Sequence, residues 1–157
     1  MMEKSVFNTL PMLFFIYSPD GVYLDVLGGN ETKRFENAKK LIGFHINDVF
    51  EENMANFVSE KLKEVVSSNK ALSFTYAISI DHFKDKNHTD LLHKPHWFEV
   101  IVSPILDEYN KVSKIFWSQF SVQHYKEQLN KLEEEKKLIK ENFEDKLKLM
   151  ERHAAQI

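Results

Sequence analysis

Two runs rich in β-branched and aromatic residues, Trp97 to Leu106 and Val112 to Val122, flank the polar segment Asp107 to Lys111. Together, His96 to Val122 (HWFEVIVSPILDEYNKVSKIFWSQFSV) predicts a β-hairpin with a loop of about five residues. Pro104 lies inside the first run and lacks an N–H for a ladder, so that strand is expected to bend or lie at an edge there. The second run carries Ile115, Trp117 and Gln119 on one face and Phe116, Ser118 and Phe120 on the other. A strand apolar on both faces needs cover on both sides. One side is assigned to the domain's own core, the other to a helix or a second subunit.

Upstream, Met12 to Tyr17 (MLFFIY) reads as a buried strand, Ser18 to Gly21 (SPDG) as a turn and Val22 to Leu27 as the returning strand, broken by Gly28-Gly29-Asn30. Phe35, Ala38, Leu41 and Ile42 are spaced for a short helix ending at Gly43. A longer helix is predicted over Asn53 to Ser68, where Met54, Phe57, Val58, Leu62, Val65 and Val66 recur every three or four residues. Ala71 to Ile80 alternates as a third strand, with Leu72, Phe74, Tyr76, Ile78 and Ile80 on one face. Asp81 to Lys94 is polar, rich in His and read as a long loop. The predicted class is α+β: a five-stranded antiparallel sheet with helices on one face, followed by a long C-terminal helix.

From Gln123 onward the composition changes to Glu, Lys, Leu and Gln without Gly or Pro. Tyr125, Leu132, Ile139, Lys146 and His153 repeat every seven residues, as do Leu129, Lys136, Phe143, Met150 and Ile157, and seven of these ten are apolar. That is a coiled-coil seam, expected to bury itself against its own copy in a parallel homodimer, with Lys136 and Lys146 as weak points. Three segments follow: an N-terminal lead-in over 1–10, a globular domain over 11–122 and a coiled-coil helix over 123–157.

Composition excludes several function classes. The net charge of -3 with interspersed signs gives no reason to expect nucleic acid. The absence of Cys fits a reducing, cytoplasmic setting and removes thiol nucleophiles and Cys-based zinc sites. Neither a signal peptide nor a run of about 20 apolar residues is present. Gly-rich phosphate loops, the Gly-x-Ser-x-Gly elbow and His-Glu-x-x-His are also missing, so no enzyme is predicted. His82, His88, His93 and His96, with spacings of six, five and three, are weak metal candidates that match no compact zinc pattern.

The ordered set FFIYSPDGVYL (Phe14 to Leu24), Leu41-Ile-Gly43, Asp48-Val-Phe50, Trp97-Phe-Glu99, Ser103-Pro-Ile105 and the exit into a charged helix resembles a PAS domain followed by a signalling coiled coil. The chain departs from the family at that exit, with Ser121-Val122-Gln123 where Asp-Ile-Thr is usual, removing a familiar polar contact. The resemblance implies a cup between helices and sheet, which alternation and the family's inner face line with Phe15, Tyr17, Phe98, Val100, Val102, Ile115, Trp117 and Gln119, closed by Phe57 and Val58. Gln119, an amide among aromatics, needs partners; backbone or Tyr17 is one expectation and a ligand the other. A flavin-cysteinyl adduct is excluded for want of Cys, and haem is not expected because the long helix carries no His, only His45 upstream of it. The implied function is a non-catalytic sensor of a small organic ligand, signalling through the dimeric helix to a histidine kinase or diguanylate cyclase output outside this chain. A structural dimerisation module with a filled core is the alternative.

Overall fold

The computed structural model describes residues 12–28, 38–86 and 94–155. The chain divides into two units, one ending at Ser121 and the other running from Val122. In the first, β1 (Leu13–Tyr17) and β2 (Tyr23–Gly28) precede α1 (Ile46–Val49) and α2 (Glu52–Ser68), then β3 (Leu72–Ile78), β4 (His96–Leu106) and β5 (Val112–Ser121). The second is a single helix, α3 (Gln123–Ala155). All pairings are antiparallel in the order β2-β1-β5-β4-β3, so the last strand joins the opening hairpin to the closing strands.

Turn chemistry sets the register of both hairpins. At the first turn the Gly21 N–H donates to Ser18 O (3.0 Å), and Gly21 adopts φ +101°, which a side chain would resist. At the second, Asp107 Oδ1 accepts from the N–H groups of Tyr109 (2.8 Å) and Lys111 (3.0 Å), and Asn110 takes the left-handed conformation at φ 62°. Pro104 pairs with Ile115 of β5, while the β3 ladder ends at Leu72 opposite Val102. It therefore sits where β4 has become an edge, as its missing N–H requires.

Alternation puts Phe15, Tyr17, Val100, Val102, Ile115 and Trp117 on the buried inner face. Met54, Ala55, Val58, Leu62 and Val65 of α2 pack down on it, and the helix ends at Asn69 in the left-handed conformation (φ 54°). Val66, expected on the packed face, is exposed, because Val65 already occupies the sheet-facing position. On the outer face Phe14 is buried and stacks on half-buried Phe116, ring centroids 5.4 Å apart.

Four readings need correcting or completing. The sequence signalled no helix at Ile46–Val49, yet His45 caps one: its Nδ1 accepts from Asn47 N–H (3.0 Å), and Asp48 Oδ2 accepts from His45 N–H (3.1 Å). With Nδ1 accepting, Nε2 carries the proton and donates to Asp20 O at 2.6 Å. The expected loop from Asp81 contains part of a 3-10 turn, Ile80–His82, and Phe83 bridges to Phe50. The expected short helix is helical at Ala38 and Lys39 and then turns; Phe35, Gly29, Asn30 and the 1–10 segment lie outside the described residues. At the exit Ser121 Oγ lies 2.6 Å from His96 Nε2, so the departure from Asp-Ile-Thr leaves a polar contact of another kind.

Two glycines separate backbone strain from crowding. A Cβ on Gly28 (φ +88°) would lie 2.1 Å from Met12 O, whereas one on Gly43 (φ +92°) would meet nothing within 4 Å. Gly43→Ala should cost about 1–2 kcal/mol and Gly28→Ala about 3 kcal/mol or more. Urea unfolding of the two variants checks the ranking.

Candidate functional site: an aromatic cavity over the inner sheet face

Between sheet and helices lies a cavity of about 430 Å³. Its floor comprises Leu13, Phe15 and Tyr17 of β1, Tyr23 of β2, Tyr76 and Ile78 of β3, Phe98 of β4, and Trp117 and Gln119 of β5. Val58 of α2, Val49 at the end of α1, Phe50 just after it, and Ala38, Leu41 and Phe44 of the preceding turn cover it. Phe83 meets Phe50, with ring centroids 5.2 Å apart. Backbone bonds hold this side closed: Glu51 N–H donates to His82 O (2.8 Å) and Lys84 N–H to Val49 O (2.9 Å). The charged wall residues, Lys40, Asp48 and Asp85, are exposed, so among the described residues the interior lining is largely apolar and uncharged while the margin is ionic.

One polar cluster interrupts this lining. Gln119 is only 7% exposed, and its Oε1 accepts from Trp117 Nε1 (3.1 Å) and from the Tyr76 hydroxyl (2.5 Å). Tyr76 reaches it across β4, where Val100 pairs with both Gln119 and Phe74 and Phe98 pairs with Tyr76. Tyr17, the side-chain partner expected from sequence, packs instead against Tyr23, their ring centroids 4.6 Å apart. Burial pushes the phenols of Tyr17, Tyr23 and Tyr76 above their ordinary range, and Tyr23 beside Tyr17 adds to the effect on Tyr17.

Of the residues expected at the cup, Phe15, Tyr17, Val58, Phe98, Trp117 and Gln119 are brought together around the cavity. Val100, Val102 and Ile115 are not in its wall: they are fully buried where α2 packs onto β4 and β5. Phe57 turns instead against Phe74 and Tyr76, with ring centroids 5.5 and 5.9 Å away, and Lys61 Nζ lies over the Phe57 and Phe74 rings. Sequence reasoning missed Tyr76 and Ile78, although alternation had placed both on one face of β3, and it missed Tyr23. Phe50 and Phe83 gave no signal, because they meet only through a long-range bridge.

Two of the four candidate histidines are described. His82 Nδ1 accepts from Ser79 N–H (2.9 Å), His96 contacts Ser121, and His88 and His93 lie outside the described residues. Among the described residues, no group of three or more His, Asp or Glu side chains could hold a metal ion. Nor, among them, is any helix long and apolar enough to cross a membrane.

An antiparallel sheet covered by helices around an aromatic cavity defines a cup-shaped α+β domain. No protein-family model and no curated protein matches the chain. Solved structures do. A sensory box sensor histidine kinase from Vibrio cholerae is 17% identical with TM-score 0.52, covering 78% of this chain and 90% of its own. The PAS domain of a Colwellia psychrerythraea protein is 12% identical with TM-score 0.59, covering 78% and 96%. The PAS domain of BvgS from Bordetella pertussis is 14% identical with TM-score 0.57, covering 87% and 95%. At such identities the likeness is one of fold, and the chain has the PAS fold, with a long C-terminal helix.

The buried phenols tie stability to alkaline pH. Their folded-state pKa values lie above the unfolded value near 10, so the native state holds protons that the unfolded chain releases. This stabilisation is complete below pH 10 and is lost as pH rises further. With all three contributing, stability should fall by up to about 4 kcal/mol per pH unit above pH 10. Tyr23→Phe should make the decline shallower, as read by denaturant melts between pH 9 and 11.5.

Proposed function

We propose that this chain is a non-catalytic regulatory module that holds a small organic molecule in the cavity over β1, β3, β4 and β5 and passes its presence on through α3. The carrying observation is the 430 Å³ aromatic cavity, within the size range of small-molecule sites. That space favours a ligand-holding cup over a dimerisation module with a filled core. The strand bearing Trp117 and Gln119 ends at Ser121, and α3 begins at Gln123, so a change in β5 has a short covalent path to the helix.

The helix supplies the second half of the reading. No residue of α3 is buried, and its seam runs from 48% exposed at Leu129 to 71% at Tyr125. Leu132, Ile139, Phe143 and Met150 are exposed between them. An apolar stripe of this length is covered most economically by its own copy in a parallel coiled coil. The partner is thus a second copy, with output through a histidine kinase or diguanylate cyclase. A ligand can shift such a device only by its difference in affinity for two states of the dimer.

Mass spectrometry of organic extracts from the purified protein should release a compound of low molecular weight. An empty extract, with no compound of a diverse small-molecule library raising Tm, would leave the filled-core module as the better reading. Analytical ultracentrifugation should show a dimer that the double variant Ile139→Asp, Phe143→Asp converts to a monomer with the sheet domain still folded. A wild-type monomer at high micromolar concentration would remove the coiled coil from the mechanism.

A further inference from the structure

The polarity of the cavity's inner wall narrows what it can hold. Indole Nε1–H is a donor only, so the Gln119 atom that it faces at 3.1 Å must be the carbonyl oxygen, and the side-chain amide has one orientation. The Tyr76 hydroxyl takes the second lone pair of that oxygen. Both acceptor sites of Gln119 are filled, and its NH2 group has no hydrogen-bond partner among the described residues. No buried side-chain nitrogen or oxygen among those residues lacks a partner, so this nitrogen is not walled in by protein: it borders the cavity that Gln119 lines. A residue 93% buried, by its 7% exposure, thus presents two donor protons to an apolar space.

Resting on the sensor reading above, we infer that the cavity takes an uncharged, flat ring compound whose carbonyl or ring-nitrogen acceptor is received by the Gln119 NH2 group. Flatness follows from the aromatic walls, with Phe15, Phe98 and Trp117 offering ring faces and edges. Neutrality follows from the position of the charges: Lys40, Asp48 and Asp85 are exposed, and among the described residues of the lining no other charged side chain is present to compensate a buried ion. A pure donor such as an ammonium group would leave the Gln119 protons unsatisfied and is selected against.

The test titrates the full chain with two bicyclic probes of nearly the same shape: α-tetralone, which carries a ring carbonyl, and tetralin, which does not. Calorimetry should show the ketone binding about tenfold more tightly, the worth of one ordinary hydrogen bond. In Gln119→Leu the preference should shrink to about twofold or less while tetralin binding persists. Should that variant fail to fold, the Gln119 side-chain NH2 resonances of the wild type supply the readout: the ketone should shift them and tetralin should not. Equal binding of the two probes, or a preference that survives in Gln119→Leu, overturns the donor assignment while leaving a ligand-holding cavity in place. Binding of neither probe overturns it as well, and only an empty organic extract alongside would bring down the sensor reading.

Discussion

The pairing of β5 between β1 and β4 is the constraint on which the rest of this domain depends. Its register sets Trp117 opposite Phe15 on one side and Val102 on the other, and Gln119 opposite Leu13 and Val100. A slip of one residue would turn Phe116 and Ser118 inward and send Trp117 and Gln119 out. The hairpin loop guards against that slip through the two backbone bonds to Asp107, and the SPDG turn does the same for the strand beside it.

Within that frame the cavity and its polar cluster depend on one another. Buried amides, phenols and indoles are tolerated only when their hydrogen bonds are made, and here Tyr76, Trp117 and Gln119 satisfy much of one another's need. The arrangement holds the Gln119 amide in a single orientation. Around the margin, the His45 cap, the Phe50 to Phe83 bridge and the backbone bonds of Glu51 and Lys84 keep the covering segments in place.

Much of the fold was legible because its signals are local. Period-two alternation marks β3 and β5, helical spacing marks α2, and Gly21 and Pro104 punctuate the strands. Alternation also gave the correct inner face of β5. It could not show how far the helical cover extends along that face, so Val100, Val102 and Ile115 were expected in the cavity wall although α2 packs directly over them. The cap at Ile46–Val49 escaped notice because histidine is not a usual N-cap residue.

By itself, then, the amino-acid order determined the strands, the long helices, the compositional break at Gln123 and the presence of an amide among aromatics, since each depends on neighbours a few positions apart. Only tertiary structure decided that Tyr76 rather than Tyr17 meets Gln119, that Phe50 meets Phe83, and that space is left between them. Those outcomes turn on distances between side chains dozens of positions apart, set by sheet register and helix placement, and no short-range pattern encodes them.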